Sequence, residues 1–218
     1  MRSEWVPVSA AALVVGVMAL VFGSLLNPAN GGESAAQTLQ IVDEQGARWL
    51  GMSVMFFLSS VGLVLGLPAI LSLFLRTGRR LGTTGVAVFA VGVVGLCGYA
   101  MLMVFFRAVA NSGAVAGNAQ ALNRVSKDTG LLVFLYGWIA GFVLGIVLIA
   151  IALIRARKTP LWVPIVMIVY VVSVPFGSHL GRLGQTVQVL ALAVAFTGIA
   201  IGAVSADNRR ELVRESVF

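Results

Sequence analysis

The sequence predicts an all-α polytopic transmembrane bundle of six helices, and three observations carry that expectation. Only 11% of the 218 residues are charged and 59% are hydrophobic, against about 25% charged in an ordinary soluble domain. The charges are also spaced in a particular way. Six stretches without a formal charge run over 5–32, 49–75, 81–106, 129–154, 159–181 and 183–206, the shortest 23 residues long. Roughly 20 apolar residues are needed to cross a hydrocarbon core of about 30 Å. Finally, the stretches are continuously apolar rather than alternating, and a lipid-embedded backbone must satisfy its own hydrogen bonds, so they read as helices and not as barrel strands.

Taken in order, the expected spans are Val6–Leu26, Trp49–Leu75, Thr83–Phe106, Leu131–Ile154, Leu161–Phe176 and Val187–Ala206. Trp5, Trp49 and Trp162 stand at span ends, where amphipathic rings favour the headgroup layer. Pro68 predicts a kink or tilt in the second span. The fifth span is the shortest and carries Pro164 and Pro175.

Basic residues set the expected orientation. With the N-terminus inside, the inner segments hold Arg2, Arg76, Arg79, Arg80, Arg155, Arg157, Lys158, Arg209, Arg210 and Arg214, ten of the fifteen Lys and Arg residues. The outer segments hold Arg48, Arg107, Arg124, Lys127 and Arg182. Short basic loops are retained in the cytoplasm, so both termini are expected there, with three hairpins opening outward. The net charge of +7 is then topogenic and suited to anionic lipid, and nucleic acid is not an expected partner. The bias toward Arg, Ala, Gly and Val with only two lysines points to a bacterial plasma membrane.

The chain reads as a single transmembrane domain, 1–218, with a candidate tandem hairpin repeat at 5–80 and 83–158 and a third hairpin at 159–206. The first two outer loops, about 27–48 and 107–130, each suggest a short helix. Ser34 and Gln37 have the spacing of a capping box, with Gly46 placed to end that helix. Ala35, Leu39 and Val42 share one of its faces. The stretch from Ala36 to Val42 echoes Ala119 to Val125, 83 residues later.

The loop-helix stretch from Glu33 to Gln40, the run Arg48, Trp49, Leu50, Gly51 opening span two, and Thr159, Pro160, Leu161, Trp162 before span five resemble the uncharacterised bacterial membrane-protein family catalogued as domain of unknown function 4386. The resemblance implies a six-helix membrane fold and brings no activity with it.

Glycines stand out within the spans. Gly137, Gly141 and Gly145 form a GxxxGxxxG stripe (a glycine zipper), and Gly62 with Gly66 and Gly198 with Gly202 form GxxxG pairs. Four-residue spacing stacks them on one helix face, where a second backbone can approach closely. Either the bundle itself or a membrane-protein partner, a second copy included, could supply that backbone.

No Asp, Glu, Lys or Arg lies near the middle of a span, so proton relays and ion-coupled sites have no side chains to use. The polar groups expected there are Ser59, Ser60, Cys97, Tyr99, Tyr136, Tyr170 and Ser173. No nucleophile–base pair, metal-ligand spacing or P-loop occurs, so no enzyme, metal or cofactor is expected. The sharper functional candidate lies at the outer ends of spans three, five and six: Arg107, His179 and Arg182, suited to an anionic headgroup. Two functions follow. The first is a non-enzymatic scaffold or accessory subunit packing through glycine-rich faces. The alternative is a binding or transport module for a lipid or small amphiphile, with an outer anion site.

Overall fold

The computed structural model describes residues 5–29, 34–74, 78–111, 125, 127–176 and 181–215, with backbone alone at 35–36, 181–183 and 210–215. Seven α-helices occur among them: α1 (Trp5–Leu26), α2 (Ala35–Glu44), α3 (Gly46–Ser72), α4 (Arg79–Asn111), α5 (Thr129–Ala156), α6 (Trp162–Ser173) and α7 (Gly181–Glu215). The chain is an all-α polytopic membrane protein.

The expected count of six spanning helices is corrected. Among the described residues five helices are long and apolar enough to cross a membrane: Trp5–Leu26, Gly46–Ser72, Arg79–Asn111, Thr129–Ala156 and Gly184–Arg209. The stretch expected as the fifth span is instead the 12-residue α6, continued by a 3-10 turn at Val174–Phe176. A charge-free gap measures apolarity, not helix length. Pro160 and Pro175 bracket this helix, and twelve residues rise only ~18 Å, short of a ~30 Å core. The three expected hairpins are therefore two long ones, α1/α3 and α4/α5, and one unequal pair, α6/α7.

The helices close a ring in which α1 packs on α3, α3 on α4, α4 on α5, α5 on α6, α6 on α7, and α7 back on α1. Paired positions show that neighbours run antiparallel. Gly16 meets Gly62 and Gly23 meets Phe56; Gly85 meets Leu148 and Gly92 meets Phe142; Gly198 meets Val163 and Gln188 meets Ser173. Two faces result. One carries Arg79, Arg80, Arg155, Arg157, Lys158 and Arg209, all exposed, and is here the basic face. The other carries α2.

The α1/α3 crossing is glycine against glycine. A methyl group added at Gly16 would lie 2.6 Å from the Leu63 nitrogen, and one added at Gly62 would lie 2.6 Å from the Gly16 Cα. Backbone meets backbone, with no flexible side chain to give way. Near this crossing α1 also repairs α3. Pro68 interrupts the α3 hydrogen-bond ladder. The Ser9 hydroxyl donates to the Leu65 carbonyl (2.7 Å) and accepts from the Ala69 N–H (3.0 Å), so a neighbouring helix satisfies groups that lipid could not.

Helix α2 has the expected capping box: Ser34 Oγ accepts from the Gln37 N–H and Gln37 Oε1 from the Ser34 N–H. Gly46 does not end it. The helix stops at Glu44 with Gln45 as its cap, and Gly46 opens α3. Leu39 and Val42 are buried, and Val42 packs with Trp49, Met52 and Met103, so α2 lies over the α3/α4 seam. Trp49 Nε1 donates to the Met103 carbonyl (2.9 Å) and locks that seam. The echo at 119–125 falls outside the described residues, apart from Val125.

On the outside, Val15, Leu65, Val91, Val94, Phe134, Val169 and Val194 are exposed. Outward apolar side chains on nearly every helix are what a hydrocarbon surround requires.

A candidate binding cavity in the α2 half of the bundle

Packing is uneven along the ring. Helices α1, α3 and α4 bury residues along most of their length. In α5 the buried residues begin at Phe142 and run to Ala156, with none from Thr129 to Gly141. In α6 they are Val163, Pro164 and Met167, with none beyond. In α7, Thr186 is the single buried residue between Gly184 and Ala191, whereas the stretch from Leu192 to Ala203 is largely buried. Three helices that are tight at the basic face thus part company toward the α2 face.

The three α5 glycines differ in what they face. A methyl at Gly145 would collide with the Phe89 backbone; at Gly141 it would come within 3.3 Å of the Gly92 nitrogen; at Gly137 it would meet nothing within 4 Å. At Trp138 α5 still lies on α4: the Trp138 Cβ is seated directly against Gly95 of α4, and its side chain lines the space beyond.

The space left is a cavity of about 400 Å³, within the usual range for small-molecule sites of ~300–1,000 Å³. Its floor is Phe142, backed by Phe89 (ring centroids 5.0 Å apart) and through it Phe196 (5.5 Å). One wall is an aromatic run, Phe56 to Tyr99 (6.1 Å) to Trp138 (5.6 Å), faced by Leu20, Ile139, Val143 and Val189. Toward the α2 face the lining turns polar, with Ser24, Asn27, Gln185 and Gln188, while Tyr170 joins from α6. No lining residue carries a formal charge.

Several of these polar groups are engaged. Asn27 Oδ1 accepts from the Ala29 N–H (3.1 Å), and Gln188 Nε2 donates to the Ser173 carbonyl, tying α7 to the end of α6. Trp138 Nε1 differs: it is buried and has no hydrogen-bond partner among the described residues. Such an orphan donor costs about 1–3 kcal/mol.

The residues expected to form an outer anion site are placed as follows. Arg107 is half-buried on α4, its Nε 3.3 Å from where a Gly46 Cβ would stand and without a hydrogen-bond partner among the described residues. It is not part of the cavity wall. Arg182 lies in the first turn of α7, its side chain outside the described set, and His179 lies outside it altogether. Of the other glycines singled out, Gly62 and Gly66 face Gly16 and Leu13 of α1, Gly198 faces Val163 and Trp162, and Gly202 faces Thr159.

Of the mid-span polar residues, Tyr99 and Tyr170 line the cavity. Ser60 and Ser173 bond carbonyls of their own helices, and Ser59 Oγ is buried without a partner among the described residues. Sequence reasoning missed Trp138, Gln185 and Gln188. The available signal was an indole on one apolar helix and two amides on another, all in the same half of the bundle. Among the described residues no group of three or more His, Cys, Asp or Glu is placed to hold a metal ion.

No family model, curated protein or solved structure matches this chain.

Proposed function

We propose that the protein is a non-enzymatic, membrane-embedded binding module that takes up a small amphiphile in the cavity between α1 and α3–α7. The observation that carries this reading is the cavity itself: aromatic at its floor, polar toward one face, uncharged, and bounded on one side by helices that stand apart. An amphiphile matches that gradient, its tail against Phe142 and its head toward Asn27 and Gln188. The anion site of Arg107, His179 and Arg182 is not needed for it. The scaffold reading has less support, because most of the close glycine contacts are with the chain's own helices. Membership of the domain of unknown function 4386 family belongs to the same proposal, on the sequence stretches named above.

Val143→Trp would fill the cavity from a half-buried position on α5. Native mass spectrometry of protein extracted in mild detergent should show a small amphiphile on the wild type, and at least a tenfold lower occupancy on a Val143→Trp protein that still elutes monodisperse. Equal occupancy of the two proteins, or none on the wild type, overturns the reading.

We further propose that the basic face lies in the cytoplasm of a bacterial plasma membrane, which the distribution of Arg and Lys supports. In a Cys97→Ala background, Thr38→Cys should react with an impermeant thiol reagent in intact cells, and Arg80→Cys should not. Reaction at position 80 alone reverses the orientation. Gly78 is the poorer probe position, since its φ of +71° strains any other residue.

A further inference from the structure

We infer that the cavity selects an amphiphile with an uncharged, hydroxyl-bearing head, held by the hydroxyls of Tyr99, Tyr170 and Ser24; this deepens the binding reading above and rests on it. The three residues come from α4, α6 and α1, and all of them line the cavity. None of the three hydroxyls has a hydrogen-bond partner among the described residues, whereas a buried tyrosine usually finds one. Both phenol oxygens lie well inside the protein, unlike that of Tyr136, a residue exposed on the outside of α5. Neither is sealed off as Ser59 Oγ and Trp138 Nε1 are. The interior space they open onto is the cavity they line.

The other polar groups of the lining are already engaged or closed off. Asn27 Oδ1 and Gln188 Nε2 hold backbone partners, Gln185 is also engaged, and Trp138 Nε1 is shut in. That leaves the hydroxyls, each of which both donates and accepts. Their full complement is a head that also does both, as a hydroxyl does and an ester, ether or ketone does not. The Tyr99 ring is held between Phe56 and Trp138, so its hydroxyl is placed before a ligand arrives, which lowers the entropic penalty of binding. The lining also argues against charge. A phosphate, carboxylate or ammonium would lose its hydration beside Leu20, Leu96 and Val189, with no opposite charge among the lining residues. Burying an unpaired ion costs far more than burying a neutral dipole. Two natural classes carry uncharged hydroxyls on an apolar tail: an acylglycerol and a glycolipid with a neutral sugar. The recognition chemistry is shared.

The test uses the full chain in phosphatidylcholine nanodiscs, whose lipid heads cannot donate a hydrogen bond. Affinity is read with tritiated probes, as the mole fraction of probe in the bilayer at half-saturation. In the first arm, monodecanoylglycerol is compared with methyl decanoate, which keeps the ester and lacks both hydroxyls. In the second, decyl glucoside is compared with 2-decyloxytetrahydropyran, which keeps the ring and lacks the hydroxyls. The wild type should prefer the hydroxylated probe by roughly tenfold in at least one arm, the scale of one or two net hydrogen bonds, and that arm identifies the source. Tyr99→Phe and Tyr170→Phe should each weaken that probe about fivefold and leave its counterpart within twofold, while Tyr136→Phe changes neither. Since the two hydroxyls have no partner inside the protein, neither substitution should lower the unfolding midpoint of the empty protein. Ser24→Ala takes the place of either variant that fails to elute monodisperse. No preference in the wild type, or equal weakening of both probes in the variants, overturns the inference, as does tighter binding of decyl phosphate or decyltrimethylammonium. The underlying binding reading fails separately: if no probe binds the wild type, or if Val143→Trp binds them all as well as wild type, the cavity is not the site.

Discussion

Helices α1, α3 and α4 form one kind of membrane packing and the upper parts of α5, α6 and α7 another. In the first, glycine brings backbones together: Gly16 against Gly62, and Gly66 against Leu13. In the second, large side chains border a space: Trp138, seated against Gly95 of α4, with Tyr99, Tyr170 and Gln188 around it. Apolar tails solvate a helix about as well as another helix does, so burial alone does not drive association in lipid, and contact geometry decides. Where small residues face one another the bundle is solid. Where aromatic and amide side chains line the interior instead, the bundle holds a cavity.

That contrast predicts the largest mutational effects. Leucine at Gly62 must displace the α1 backbone, and there is no flexible side chain to move, so we expect loss of folded, monodisperse protein. Moving along α5, leucine at Gly145 should come close to the same loss, Gly141→Leu should lower the unfolding midpoint clearly, and Gly137→Leu should leave it within a degree or two. Overpacking typically costs about 1–3 kcal/mol where neighbours can adjust, and more where they cannot. Size-exclusion profiles and thermal unfolding in one detergent measure the series. Equal sensitivity at Gly137 and Gly145 would show that α5 is packed evenly, and the comparison would collapse.

Much of this arrangement is legible in the sequence, and its failures have physical causes. The five long helices follow from charge-free gaps, because a hydrocarbon core excludes charge over its full thickness. Those gaps cannot register where a helix stops, so the prolines that shorten the stretch from Trp162 to Phe176 matter more than its apolarity. The capping box at Ser34 and Gln37 is a local device and reads off directly. Glycines are legible only by spacing. Four-residue intervals single out Gly62, Gly66, Gly137, Gly141, Gly145, Gly198 and Gly202, but pass over Gly16, which is half of the glycine-to-glycine crossing of α1 and α3, and over Gly82, Gly85, Gly92 and Gly95, spaced at three and seven. Spacing also treats Gly137 and Gly145 as equals, which the structure does not. The cavity is the least legible feature, since it arises where packing is absent. An indole in an apolar helix looks the same in a sequence whether it is packed in a core or lines a cavity.

The smaller effect concerns the packed half at its one weak point. Pro68 cannot donate a hydrogen bond, and its ring displaces the ladder around it, so the Leu65 carbonyl and the Ala69 N–H are served from outside the helix by Ser9. Ser9→Ala keeps the volume at that position nearly unchanged and removes only the oxygen, which separates hydrogen bonding from packing. The loss should be about 1–2 kcal/mol, seen as a lower unfolding midpoint with a normal elution profile. Pro68→Ala alone restores the possibility of a regular α3 ladder, in which Ala69 bonds Leu65 directly. The double variant should then recover most of what Ser9→Ala loses. If Ser9→Ala is equally destabilising with Pro68 and without it, the serine contributes by packing against α3, and the repair of the proline break is not what joins these two helices. Occupancy of the cavity should be unchanged in all three variants, because Ser9 and Pro68 belong to the half of the molecule that is already closed.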